Sequence, residues 1–346
     1  MDDKRKKQLI WQLPFLTLLI VGTILIVGQQ RSTPYQKNTG FIFGTVYNVT
    51  YQSSTDYQQE IEAALKQVDA EFSMFNDTST VSRLNRGEKP VLSDMFLEVW
   101  RKAADVFKQT DGAFDITVAP LVNAWGFGFK HEQLPTAQQV DSLRRLIGMQ
   151  HVRLVEQKGQ PATIERDRKG MMLDFSAIAK GYGSDVVARL LRKKGIENFM
   201  VEIGGEVVTR GISPNRVPWK IGVTKPTDDS LAVGNELQTV LNVTDRAMAT
   251  SGNYRNFYFK GGRKYAHTID PKTGYPVQHS ILSATVLAPD CATADAYATS
   301  FMVMGMERAK AVLQNHSELM VYFIYTDDRG QMAVWFSPAL QKKIVE

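Results

Sequence analysis

Cysteine is nearly absent: Cys291 is the only one in 346 residues. The chain can therefore form no internal disulfide, and cysteine usage does not report its redox compartment. One cysteine and five scattered histidines also leave no zinc-type cluster. Excess charge is missing too. The formal net charge is +5, and several of the basic residues sit in Lys4-Arg5-Lys6-Lys7 and Lys342-Lys343, which leaves no patch for nucleic acid. The body of the chain contains no low-complexity linker and no internal repeat, so nothing in it marks a second domain.

Charge is absent altogether between Lys7 and Arg31, and Leu13 to Gly28 is almost wholly apolar. A bilayer-spanning helix needs about 20 such residues. The run is not followed by a small-x-small cleavage site or by a lipid-bearing cysteine. Basic residues ahead of it favour a cytoplasmic N-terminus. The expectation is a cytoplasmic tail (1–7), a single transmembrane signal-anchor (8–30), a tether (31–38) and one domain (39–346).

What remains reads as alternating helices and strands. Phe41–Tyr51 is β-rich, with Gly44 at a close approach. Tyr57–Phe75 is helical, with Ile61, Leu65, Val68 and Phe72 on one face. Leu92–Thr110 and Leu134–Leu146 are further helices. Val152–Glu165 reads as a hairpin, and Phe199–Gly211 as strand, Gly204-Gly205 turn and strand. Trp219–Val223 and Leu237–Val243 extend the β pattern. The fold class is α+β, with mixed or antiparallel sheets and packed helices.

Five stretches carry chemistry. In Met171–Asp185 an apolar run long enough to end a buried strand meets Asp174, a small-residue turn and a helix. Free N–H groups at a helix start attract anions, and Lys180 adds a point charge suited to phosphate. The same stretch also reads as a plain junction in which Asp174 or Ser176 caps the helix. Thr110–Leu121 contains an Asp111-Gly112 turn, then Ala113-Phe114-Asp115. It suits a heteroaromatic ligand, and it equally suits a helix cap followed by a buried strand with Phe114 as core. Met248–Arg255 is small and hydroxyl-rich, and Tyr265–Pro276 is a loop fixed by two prolines and a glycine. That loop holds His267, which can act near neutral pH or serve structure alone. Asp290–Gly305 opens a small-residue helix on which Asp295 and Thr299 share one face. Such oxygens suit a hard cation like Mg²⁺; the alternative is a tightly packed helix with Asp295 in a local hydrogen bond.

In combination these motifs resemble the ApbE family of FAD:protein FMN transferases. The resemblance rests on Phe43-Gly-Thr-Val-Tyr47, Ser73-Met-Phe75 with Ser82-Arg-Leu-Asn85, Asp111–Leu121 and Asp174–Asp185. It continues through Gly204-Gly205, Ala249-Thr-Ser-Gly252, His267–Gly274 and Asp295-Ala-Tyr-Ala-Thr299. It implies one ApbE-like domain that takes FAD and Mg²⁺ and transfers FMN to a threonine or serine hydroxyl of another protein, releasing AMP. It implies FAD contacts at Phe43, Phe75, Ala113, Phe114, Asp115, Asp174, Lys180 and Ile269. The implied metal ligands are the Ala177 carbonyl and the Asp295 and Thr299 side chains. Ala298 stands where relatives can offer an acid. Expected partners are flavin-carrying subunits of membrane redox complexes of the Na⁺-translocating quinone reductase or Rnf type. The expected location is the bacterial inner membrane, with the domain facing the periplasm. His267 is the candidate for activating the acceptor hydroxyl. The competing functions are an Mg²⁺-dependent FAD pyrophosphatase and a non-catalytic FAD-binding protein.

Overall fold

The computed structural model describes residues 3–128, 134–226, 236–253, 257–260 and 263–345. Its first element, α1 (Asp3–Ser32), is helical as expected and carries Pro14 inside it. However, among the described residues no helix is long and apolar enough to cross a membrane. The expected anchor at 8–30 is overturned, and the inner-membrane, periplasm-facing placement goes with it.

The chain then forms β1 (Tyr35–Ile42) and β2 (Thr45–Gln52), where the sequence suggested one continuous strand. The break has a local cause. Phe43 and Gly44 both adopt positive φ, 51° and 73°, between the paired residues Ile42 and Thr45. A two-residue loop of this kind matches the strand twist. Gly44 is thus needed for its backbone angle, and nothing lies near enough to make it a close approach.

Next come α2 (Gln58–Phe72), α3 (Thr80–Asn85) and α4 (Asp94–Gln109). The buried face of α2 is Ile61, Leu65, Val68 and Phe72, as its spacing predicts. Ser93 caps α4 by accepting the Phe96 N–H at 3.1 Å. Two short helices, α5 (Ala119–Ala124) and α6 (Ala137–Arg144), precede the ribbon β3 (Val152–Val155) and β4 (Thr163–Arg166). The long helix α7 (Ser176–Lys193) follows.

The second half is mostly strand: β5 (Phe199–Ile203), β6 (Glu206–Arg210), β7 (Lys220–Thr224), β8 (Leu237–Asn242), β9 (Ala247–Gly252), β10 (Phe257–Lys260), β11 (Arg263–Ala266) and β12 (Ile281–Ala288). Helix α8 (Cys291–Leu313), broken at Gly305, leads to β13 (Met320–Thr326) and β14 (Met332–Phe336).

Eight strands form one sheet in the order β1-β2-β5-β6-β9-β12-β13-β14, and every pairing in it is antiparallel. Strand alternation divides its side chains between two cores. Tyr47, Val49, Phe199, Val201 and Ile203 pack with α2 and α7, while Val207, Met248, Leu287 and Tyr322 pack with β7 and β8 on the other face. β2 and β5 pair directly although the helices α2–α7 and the β3–β4 ribbon lie between them in the chain. That long insertion returns α7 to the sheet beside α8 and carries most of the candidate site.

Candidate functional site

The site is built where α7 crosses α8. Gly181 makes the crossing close. A Cβ there would fall 2.4 Å from the Cys291 carbonyl oxygen and 2.8 Å from Asp295 Cβ. Gly181 instead donates its backbone N–H to Asp295 Oδ2 at 3.0 Å. In a regular helix that N–H points at the carbonyl four residues back, which is Ala177. The Asp295 carboxylate is therefore placed beside the turn of α7 that begins at Ala177. Thr299 lies half-buried one turn further along α8.

Lys180 extends from the same turn of α7 to Glu206 at the start of β6, Nζ to Oε1 2.6 Å. Glu206 is 3% exposed, whereas the Lys180 side chain is 32% exposed. Burial opposes the ammonium form of Lys180, but Asp295 and Glu206 outweigh it and hold its pKa above the ordinary range. Burial raises the pKa of both acids, and Lys180 opposes the rise in each. Two carboxylates thus face one ammonium, and Glu206 Oε2 has no hydrogen-bond partner among the described residues.

Among the described residues no three His, Cys, Asp or Glu side chains form a metal cluster. The surplus negative charge and the oxygen-only donor set nevertheless fit a hard divalent cation. Such a cation is commonly held by one or two carboxylates, with phosphate and water completing the shell. The α8 N-terminus is fixed separately. Asp185 accepts from the Cys291 and Ala292 N–H groups at 2.8 and 2.9 Å, and Asp290 accepts from Thr293 at 2.9 Å.

Asp174 precedes α7 and is buried. Its Oδ1 accepts the Ser176 N–H at 2.8 Å, an Asx-type turn that leads into α7, whose N-cap position is Phe175. Burial raises its pKa despite that bond. The expected strand before it does not form: Met171–Leu173 has no strand neighbour among the described residues. Its partners are the Asn85 side chain and, for the Asp174 N–H, the Ile116 carbonyl at 2.7 Å.

That carbonyl belongs to the Ala113–Thr117 loop, so the two motifs are stitched together by backbone. Asp115 Oδ1 accepts from the Thr117 N–H (2.8 Å) and Oγ1 (2.6 Å), and burial pushes its pKa up to about 6. Phe114 is 2% exposed and lies with Ala113 in a third core that includes Phe96, Trp100, Phe175 and Phe301. Its ring is core, and a ligand would meet this loop through backbone groups.

Phe43 packs against α7. A Cβ at Gly183 would fall 2.7 Å from its ring, so α7 is notched to admit it. Phe75, on the loop between α2 and α3, is 76% exposed. His267 follows β11, half-buried with its ring edge-on to Phe127 at 6.4 Å. Ile269 is buried with Leu121, Trp125 and Val140. The loop is tied inward where Trp125 Nε1 donates to the Gly274 carbonyl at 2.8 Å and Lys272 pairs with Asp111. Thr268 Oγ1 donates to Asn253 Oδ1 at 2.8 Å, beside the end of β9. Tyr254 and Arg255, which close the Met248–Arg255 run, lie outside the described residues.

Sequence reasoning missed Glu206, and it included Asp185 and Asn85 only as the ends of two motifs, without a role for either. Glu206 follows directly on the Gly204-Gly205 turn, a position that gives no chemical signal until α7 brings Lys180 to it.

The family model for the ApbE family matches residues 43–323. The chain is 36% identical to the FAD:protein FMN transferase of Vibrio cholerae serotype O1, over 93% of this chain and 98% of that protein. It is 37% identical to the FAD:protein FMN transferase of Haemophilus influenzae, over 95% and 97%. Among solved structures, the flavin transferase ApbE from Vibrio cholerae superposes with a TM-score of 0.80 at 35% identity, covering 90% of this chain and 99% of that one. The apo flavinyl transferase ApbE of Pseudomonas stutzeri gives 0.79 at 30% identity, covering 91% and 98%. By sequence and by fold, this chain belongs to the ApbE family.

Proposed function

We infer that this chain is an FAD:protein FMN transferase whose reaction is centred on the α7–α8 crossing. The observation that carries the reading is the Gly181–Asp295 contact with Lys180 and Glu206 beside it, in a chain of the ApbE family. The acceptor is a threonine or serine hydroxyl. Its oxygen bonds to the FMN phosphorus, the bond from that phosphorus to the AMP oxygen breaks, and the hydroxyl proton leaves to a base. AMP departs.

The residues divide the work. The Ala113–Asp115 loop, Asp174, Phe43, Phe75 and Ile269 bind FAD. Lys180 stabilises phosphate charge. Asp295, Thr299 and the Ala177 carbonyl would hold Mg²⁺, which supplies charge neutralisation at the diphosphate as AMP leaves. His267 takes the hydroxyl proton. The acceptors are flavin-carrying subunits of redox complexes of the Na⁺-translocating quinone reductase or Rnf type.

The test is incubation of the purified protein with FAD and each candidate acceptor, with and without Mg²⁺, followed by intact-mass measurement. An Mg²⁺-dependent gain of one FMN on the acceptor supports the reading. Free FMN with an unmodified acceptor indicates hydrolysis, and bound FAD with no AMP released indicates a carrier.

A further inference from the structure

Helix α3 is only six residues long, yet it bonds at both ends to segments of the candidate site. At its start, Ser79 Oγ donates to the Ser73 carbonyl at 2.6 Å. Ser82 Oγ lies 3.3 and 3.4 Å from the Ser73 and Met74 carbonyls. These bonds anchor the loop that carries Phe75. At its end, Asn85 treats Leu173 as a neighbouring strand would. Nδ2 donates to the Leu173 carbonyl and Oδ1 accepts the Leu173 N–H, both at 2.8 Å. Only one orientation of the carboxamide satisfies both bonds.

Arg166 backs this contact, with Nη2 3.4 Å from Asn85 Oδ1 and Nη1 3.3 Å from the Met171 carbonyl. Asp174 is the next residue along. Its own N–H is taken from the other side by Ile116. The backbone at Leu173-Asp174 is therefore held from two directions, and only the Asn85 hold also reaches the Phe75 loop.

We propose that Asn85 is a positioning residue for FAD binding: through Leu173 it fixes Asp174, and α3 sets the separation of Asp174 from the Phe75 loop. The proposal rests on the reading of Asp174 as an FAD contact. Both polar atoms of the Asn85 carboxamide are engaged by Leu173, so its part is positioning. A side-chain amide does this work because Met171–Leu173 has no strand beside it, and its peptide groups need partners once buried.

The experiment is a double-mutant cycle read as FAD affinity by flavin fluorescence, with thermal melts as the control for folding. Asn85→Ala removes both bonds to Leu173 and is expected to weaken FAD about ten-fold, as loss of such bonds commonly does. Asp174→Ala should weaken it at least as much. The double variant should bind within about two-fold of Asp174→Ala alone, because Asn85 acts through Asp174.

An Asn85→Ala protein that binds FAD like wild type overturns the proposal, as does a double variant in which the two losses multiply. If Asp174→Ala leaves FAD affinity unchanged, the Asp174 reading itself fails and the clamp's role in binding falls with it. If Asn85→Ala does not melt cooperatively, Asn85→Asp replaces it, since it keeps the acceptor for the Leu173 N–H and sets a carboxylate oxygen against the Leu173 carbonyl in place of the donor. About three-fold weaker FAD binding is then expected, and unchanged binding overturns the proposal.

Discussion

The backbone N–H of Gly181 donates to the carboxylate of Asp295 at 3.0 Å, joining α7 to α8 where no side chain on α7 would fit between them. Gly181→Ala should therefore be destabilising even though alanine is the better helix former. The propensity gain is about 1 kcal/mol. Against it, the new Cβ would meet the Cys291 backbone at 2.4 Å, and overpacking of this kind costs about 1–3 kcal/mol, with more where backbone must move. A lower urea midpoint is expected. A midpoint above wild type would show that the helices part at no cost.

Asp295→Asn keeps the shape and can still accept from Gly181, but it removes the negative charge. Metal-dependent FMN transfer is expected to fall by about a hundred-fold or more, in the range seen when a group that stabilises transition-state charge is removed. The Mg²⁺ concentration for half-maximal rate should rise, and a chelator should abolish the remaining activity. Mg²⁺ titration of AMP release checks this. An unchanged metal requirement would remove Asp295 from the ligand set.

Lys180→Met leaves Glu206, 3% exposed, without its counter-charge. Breaking a fully buried pair costs about 3–5 kcal/mol. The lysine end here is 32% exposed, so solvent screening reduces the expected loss to about 1–3 kcal/mol. Adding Glu206→Gln should recover most of it, since a neutral amide needs no ammonium. Denaturant unfolding of the two variants measures the difference. No recovery in the double variant would mean that Lys180 contributes through packing of its stem.

Burial raises the Asp115 pKa from 3.8 to about 6, so the folded state holds this proton more tightly than the unfolded chain does. A carboxyl with a raised folded-state pKa stabilises most at low pH, and its contribution falls as pH rises from about 4 to about 6. Asp115→Asn lacks that slope. The stability of wild type minus that of the variant should therefore drop by about 2–3 kcal/mol between pH 4 and pH 7. Urea midpoints at the two pH values test the sign. A difference that grows with pH would mean that the anion is the favoured form.

Much of the framework was legible locally. The faces of α2 and α4, the β3–β4 ribbon, the Gly204-Gly205 turn and the start of α8 follow from periodicity, caps and turn residues, which act within a few positions. The motif series also identified the family. Where local signals were ambiguous, longer-range partners decided. Met171–Leu173 has the composition of a strand but lacks a strand beside it, and Asn85 fills the place. Phe41–Tyr51 has strand composition throughout, and two residues at positive φ fold it back on itself. Residues 8–30 contain an apolar stretch, yet among the described residues no helix is long and apolar enough to cross a membrane.

By itself the sequence determined which residues carry oxygen, charge and ring chemistry, because side-chain chemistry travels with the residue. It also determined where the backbone can turn sharply, since that depends on local φ preference. Only the tertiary structure decided that Gly181 rather than a side chain meets Asp295, that Glu206 is the partner of Lys180, and that the Phe114 ring belongs to the core. These are contacts between segments from about 25 to more than 100 positions apart. They depend on how α7 returns to the sheet after the α2–α7 insertion, and no local pattern encodes that path.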